Sequence, residues 1–289
     1  MPISAPISLF WFRRDLRLDD NAGLYHALRG KHPVLPIFIF DKNILDDLEN
    51  RRDGRVEFIH TAVENLKTTL RAMGSDSLVL YGKPEVIWPE LLKQYDVKAV
   101  YTNRDYEPYA ALRDGAVENL LATNNIPFHT FKDHVLFEKN EVLKDDGKPY
   151  TVFTPYSKKW LAKLESRLWK QTGDGGDLET ISYYLASYPT QKYFSNFWQG
   201  KTADTPTLKD MGFEPSGLHF PPDNVARSLI KNYENARNIP GVSGTSRLGV
   251  HFRFGTVSIR EKARKAQKIS ATYLNELIWR DFYSQILAH

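Results

Sequence analysis

Ten residues, Leu274 to Tyr283, hold a carboxylate, an indole, a guanidinium and a phenol at intervals that a helix brings to one face. At 100° per residue, Glu276, Trp279, Arg280 and Tyr283 align at i, i+3, i+4 and i+7, while Leu274, Leu277, Ile278 and Phe282 spread over the other side. An aromatic and ionic face opposite an apolar one suits a helix lining a ligand cavity. A Glu276–Arg280 pair at i, i+4 also stabilises a helix with no functional role, by about 0.2–0.5 kcal/mol. Both readings stay open, although the second gives no reason for Trp279.

Two more stretches could handle an anion with a flat ring. Gly241 to Gly249 is rich in glycine and hydroxyls and carries Arg247. Its free backbone N–H groups, hydroxyls and guanidinium could cradle a diphosphate, or Thr245 or Ser246 could simply cap a helix. Tyr233 and Arg237 share a helical face at i, i+4, which suits a ring next to a phosphate and equally a surface cation–π pair. In the other half of the chain, Glu107 follows an apolar run and could accept hydrogen bonds from a heterocycle, or pair with Arg104 or Arg113.

Composition narrows the chemistry. The 289 residues include no cysteine, which removes disulfides, thiolate metal sites and cysteine nucleophiles and points to a cytoplasmic location. No G-x-G-x-x-G and no Walker A sequence is present, so a conventional NAD or NTP site is not expected, and no metal site is. The stretch Gly173 to Asp177 matches neither a dinucleotide fingerprint nor a calcium loop. No apolar run reaches the roughly 20 residues of a membrane helix, and Met1 to Phe12 reads as a strand rather than a signal peptide. Val225 to Arg280 carries eleven basic and three acidic residues, a net +8 in a chain of net +4. A basic block on an acidic body fits a phosphate-binding module, with a solvated helix face as the plain alternative.

These side chains need elements to position them. Ile7 to Phe12 and Val34 to Phe40 are continuous apolar runs, and Leu78 to Tyr81, Val97 to Tyr101 and Ile126 to Thr130 are shorter ones. Helical patterns fall between them, near Asn21 to Leu28, Arg55 to Met73, Glu85 to Gln94 and Ala110 to Thr123. Strands apolar on both faces alternating with helices predict an α/β fold with a doubly wound parallel sheet. Ligands then sit beyond the carboxyl ends of the strands, at Arg13 to Asp20, Asp41 and Thr102 to Pro108. The alternation stops near residue 131. A helix is expected at Thr154 to Leu168, Thr172 to Pro222 reads as connector without clear periodicity, and the pattern is helical from Asp223 to the last residue.

Five stretches, in order and spanning nearly the whole chain, resemble the photolyase/cryptochrome family: Trp11 to Asn21, Tyr101 to Glu107, Tyr150 to Pro155, Gly244 to Leu248 and Asn275 to Tyr283. The resemblance implies an α/β antenna domain over 1–131, a connector over 132–222 and the beginning of an all-helical FAD-binding domain over 223–289. It implies that Tyr233, Thr245, Ser246, Arg247, Leu248 and Gly249 contact FAD, with Gly249 where relatives often carry a serine hydroxyl. It also implies that Arg237, Glu276, Trp279 and Arg280 face damaged DNA. Glu276 and Trp279 are the implied catalytic pair, the first hydrogen-bonding a pyrimidine dimer and the second packing against it. The implied activity is that of a deoxyribodipyrimidine photolyase, blue-light-driven repair by electron transfer from reduced FAD.

By the same resemblance an antenna chromophore, a folate or deazaflavin, lies near Glu107, although Pro108 stands where folate-binding relatives carry Asn. Family members continue beyond position 289, so the resemblance further implies a C-terminally truncated member that binds FAD weakly or not at all. Activity then belongs to the complete protein, a monomer with no membrane association. A cryptochrome-type flavin photoreceptor and an inactive truncated α/β module are the alternatives.

Overall fold

A strand without a polar face must be covered on both sides. In the computed structural model, which describes residues 3–172 and 178–289, five parallel strands meet this requirement. They are β1 (Ile3–Phe12), β2 (Val34–Asp41), β3 (Leu78–Gly82), β4 (Tyr95–Asn103) and β5 (Phe128–Phe131), in the order β3-β2-β1-β4-β5. Phe10 of β1 is level with Pro36 of β2 and Tyr101 of β4. Alternate side chains feed two cores: Phe10, Phe12, Phe38 and Phe58 on one side, and Leu9, Trp11, Ile37 and Trp88 on the other. The parallel α/β fold read from the sequence is the fold observed.

The intervening helices are α1 (Ala22–Leu28), α2 (Lys42–Leu45), α3 (Gly54–Ala72), α4 (Pro84–Gln94) and α5 (Pro108–Thr123). Local chemistry starts each of them. Asn21, Asp41 and Asp53 accept backbone N–H groups at the N-termini of α1, α2 and α3, and proline opens α4 and α5, where no N–H is needed. Strand order reverses between β1 and β4. The crevice there lies beyond Phe12 and Asn103, where open α/β sheets bind ligands.

Past β5 the chain builds α6 (Phe153–Glu165), a hairpin of β6 (Leu168–Thr172) and β7 (Leu178–Ser182), then α7 (Arg227–Lys231), α8 (Tyr233–Ala236), α9 (Gly249–Phe254), α10 (Ile259–Ile269) and α11 (Ala271–Ala288). The expected helix to Leu168 stops at Glu165, and the antiparallel hairpin replaces part of the expected irregular stretch. Gly173 to Asp177 lies outside the described residues. The helical pattern from Asp223 is interrupted between α8 and α9. The 132–222 segment is shared between cores. Phe137, Tyr156, Trp160 and Leu185 pack with Ile278 and Phe282 of α11, whereas Phe197, Met211 and Phe213 join the α/β core.

The helical part is bolted to the sheet by buried charge. Arg260 of α10 pairs with Asp20 at 2.9 Å and Asp133 at 2.8 Å, and Arg17 reaches Asp133 at 2.7 Å. Burial pushes the Asp133 carboxyl up, but the charges of Arg17 and Arg260 outweigh it and hold the group far below the ordinary range. Much of the Trp11 to Asn21 motif is therefore structural. Asp15, for example, accepts from the Arg13 backbone at 2.7 Å and from Asn103 at 2.6 Å.

Candidate functional site

Helix α11 starts at Ser270, whose hydroxyl accepts the Tyr273 N–H at 3.2 Å. Its apolar face forms as the periodicity predicts: Leu274, Leu277, Ile278 and Phe282 are all buried. The other face separates into two kinds of residue. Glu276 and Trp279 are half-buried and Tyr283 is exposed. Arg280 turns inward, donating to the carbonyls of His134 (2.5 Å) and Phe252 (3.2 Å). It ties α11 to the turn after β5 and to α9, whereas the resemblance implied that Arg280 faces damaged DNA. The Glu276–Arg280 pair, one of the two readings of this spacing, is not formed.

Glu276 instead pairs with Arg237, which follows α8. The Arg237 guanidinium also stands 5.9 Å from the Tyr233 ring, so the i, i+4 relation in the sequence is a real contact. Tyr233 is nearly buried and meets Tyr273 of α11 edge to face at 5.0 Å. Burial pushes the Tyr233 and Tyr273 phenols up, and the Ser246 side chain beside Tyr273 pulls that phenol the other way. Ser246 thus brings the Gly244–Gly249 loop beside α11.

Within the loop, Thr245, Arg247 and Gly249 are exposed, Ser246 is half-buried and Leu248 is buried. Gly244 packs so tightly that a Cβ would lie 2.5 Å from the Ala236 carbonyl oxygen. Arg247 has φ +52°, a left-handed conformation uncommon for a residue with a side chain. It makes no ion pair among the described residues, and a strained backbone presenting a free cation marks a place where an anion could be held. Leu248 serves packing, so its contribution to a ligand would be through its backbone.

The fold partners much of the +8 stretch, and Arg253, Arg260 and Lys268 meet carboxylates from outside it. Arg237, Arg253, Arg260, Lys262, Lys265 and Lys268 all pair with carboxylates, and Arg264 donates to the Leu185 carbonyl. Among the described residues only Arg227, Lys231 and Arg247 of this stretch have no such partner.

A second site lies at the crevice between β1 and β4. A cavity of about 240 Å³ has Trp11, Phe38 and Phe40 among its walls and Arg14, Asp41 and Glu107 at its rim. Glu107 bonds neither Arg104 nor Arg113: Arg104 pairs with Glu138, and Arg113 pairs with Asp114 at 3.0 Å. Its partners are Arg14 at 3.1 Å and Arg253 of α9 at 2.7 Å. Partial burial pushes the Glu107 carboxyl up, but Arg253 and Arg14 outweigh it and hold it below the usual range. Asp41 accepts from the Tyr109 hydroxyl at 2.7 Å; burial first and that carboxylate second push the phenol up to about 12. Tyr109 and Arg253 escaped the sequence reading. Position after a strand could have flagged Tyr109, but nothing local links Arg253 to a pocket over the sheet.

Among the described residues no group of His, Asp and Glu is arranged to hold a metal ion, and no helix is long and apolar enough to cross a membrane. The DNA photolyase family model matches residues 8–173. The chain is 31% identical to the deoxyribodipyrimidine photo-lyase of a Synechococcus species, over 99% of its own length and 61% of that protein. A class III photolyase from Agrobacterium tumefaciens superposes with a TM-score of 0.73 at 22% identity, over all of this chain and 60% of that one. An archaeal photolyase from Sulfolobus tokodaii, whose structure holds two FAD molecules, superposes with a TM-score of 0.69 at 25% identity, over 97% and 59%. The chain thus spans about three-fifths of the length of the curated photolyases it matches.

Proposed function

The chain belongs to the DNA photolyase family, and on that premise we propose that it serves light-driven repair of pyrimidine dimers in DNA. The observation that carries this reading is the joint at α11. Ser246 lies beside Tyr273 of α11 and Arg237 pairs with Glu276, so a loop suited to a diphosphate adjoins the helix that carries a carboxylate and an indole suited to a base.

The residues present fit FAD. Arg247 is an exposed cation with no ion pair among the described residues, the Thr245 and Ser246 side chains add hydroxyls, and Tyr233 supplies an aromatic neighbour. Thr245, Ser246 and Arg247 would hold the diphosphate, with the backbone of Leu248 and Gly249 completing the cradle. When bound, reduced FAD supplies a light-activated electron donor.

On the DNA side, Glu276 accepts a hydrogen bond from the lesion, Arg237 balances its charge, and Trp279 gives the lesion an aromatic surface. A dimer must leave the duplex to reach them, at a cost of a few kcal/mol that is least for damaged bases. Arg280, turned inward, is left out of this face. The cavity over β1 and β4, rimmed by Glu107, takes a flat light-harvesting chromophore of the folate or deazaflavin class in this scheme.

The test is direct. Protein incubated with FAD, reduced with dithionite in the absence of oxygen and illuminated with blue light, is given an oligonucleotide carrying one thymine dimer. Flavin absorbance in the purified protein and restored thymines support the reading; bound flavin with no restored thymines overturns repair, and a colourless protein overturns the flavin site.

A further inference from the structure

Of the five stretches that carry the family resemblance, Tyr150 to Pro155 lies outside both the α11 face and the cavity over the sheet. At its centre is Phe153, the first residue of α6, which lies flat on Trp279 of α11. The ring centroids are 3.5 Å apart and the planes 4° apart. Phe282 stands edge-on to both rings, 5.7 Å from Phe153 and 5.7 Å from Trp279. Tyr283 adds a further ring 5.5 Å from Trp279.

Aromatic pairs left to themselves favour offset or edge-to-face contact over a face-to-face sandwich. The flat stack is therefore imposed by the frames that carry the rings. Tyr156 meets Phe282 at 5.1 Å, and the Trp160 indole N–H donates to Asp281 at 3.0 Å, so α6 is seated on α11 over several turns. Phe153 is thereby delivered to a fixed place, and the Trp279 indole is clamped between it and the edge of Phe282.

We propose that Phe153 is a positioning residue: it holds the indole plane of Trp279 in the orientation that receives the extruded dimer. The inference rests on the repair reading above. Phe153 does not touch the lesion in this scheme; it acts through Trp279. A partner displaced by as little as 1 Å can cost about a hundredfold in a site whose function depends on alignment, which gives a packed phenyl ring one shell away a measurable effect.

The test separates the clamp from the repair reading. The protein is labelled with 5-fluorotryptophan, and the Trp279 resonance is assigned with Trp279→Phe. Phe153→Leu keeps apolar bulk without a flat face, and Phe153→Tyr keeps the face. The Trp279 resonance is expected to shift and broaden in the leucine variant and to hold in the tyrosine variant. Binding is measured to an oligonucleotide with one thymine dimer and to its undamaged twin. The leucine variant is expected to lose about tenfold in preference for the dimer with unchanged affinity for the undamaged strand, and the tyrosine variant to retain the preference.

An unmoved resonance overturns the clamp. A gain in dimer preference in the leucine variant also overturns it, because Phe153 would then be occupying the place of the base. A resonance that moves in a protein whose wild type does not distinguish the two strands overturns the repair reading, and with it the role of Phe153 in lesion selection.

Discussion

Gly255 and Arg14 meet backbone to backbone. A Cβ built on Gly255 would fall well inside contact with the Arg14 carbonyl oxygen and 2.6 Å from the Asp15 Cα, and Gly255 has φ +65°. The end of α9 is thus pressed onto the loop after β1, with Arg17 donating to the Gly255 carbonyl at 3.0 Å. Gly255→Ala combines a left-handed backbone with a clash against main chain that cannot swing away. It is expected to destabilise the protein by about 3 kcal/mol or more, read as a lowered urea midpoint.

Asp281 sets a pH dependence. It is buried, and its Oδ2 accepts from Trp160 at 3.0 Å and from the backbone of Leu136 and Phe137 at 3.1 Å each. Burial pushes the carboxyl up to about 6, against the opposing pull of Arg280 and these donors. The folded state therefore holds this proton more tightly than the unfolded chain does. The contribution of Asp281 is most favourable below about pH 4 and falls as pH rises through about 6, by roughly 3 kcal/mol in all. Asp281→Asn is expected to flatten that slope between pH 4 and 6 in chemical denaturation, leaving stability below pH 4 little changed.

Asp133 behaves in the opposite sense. Its carboxyl is held far below the ordinary range by Arg17 and Arg260, so its contribution is present above about pH 4 and is lost as pH falls toward its folded value. Among the described residues, Asp133→Asn would leave Arg260, buried beside Asp20, with a single carboxylate partner, and Arg17 with none. The expected loss is about 3–5 kcal/mol at neutral pH, measured as a fall in urea midpoint.

Arg247 separates stability from binding. Glycine accepts its left-handed backbone without strain, so Arg247→Gly is expected to leave thermal stability unchanged or raise it by up to about 1 kcal/mol. The same variant should bind FAD at least tenfold more weakly in a flavin fluorescence titration. Retained flavin affinity would remove Arg247 from the diphosphate site.

DNA binding should depend on salt less than a net +8 suggests. Four cations of the stretch, Arg227, Lys231, Arg247 and Arg264, lack a carboxylate partner among the described residues; Arg264 is tied to the Leu185 carbonyl, and the other three set its share of the slope of log K against log salt at about −2.7. Lys231→Ala is expected to reduce the slope by about 0.9. Lys268→Ala, whose ammonium already pairs with Glu179, should leave it unchanged. Equal effects would mean that the internal pairs open on DNA.

The sheet was legible because its information is local. Runs such as Val34 to Phe40 have no polar face, caps such as Asn21 act over one turn, and the period of α11 buries its apolar side wherever the helix lies. The same locality identified Tyr233 with Arg237, and Glu276 with Trp279, as residues sharing a face. It could not choose partners. Glu276 went to Arg237 rather than to Arg280, Glu107 to Arg14 and Arg253 rather than to Arg104 or Arg113, and Arg260 and Lys268 of the basic stretch to carboxylates far along the chain. An ion pair is selected by distance and burial in three dimensions, and sequence spacing reports neither once the partners sit on different elements. The sequence alone determined which residues could do chemistry; the tertiary packing decided which of them were left free to do it.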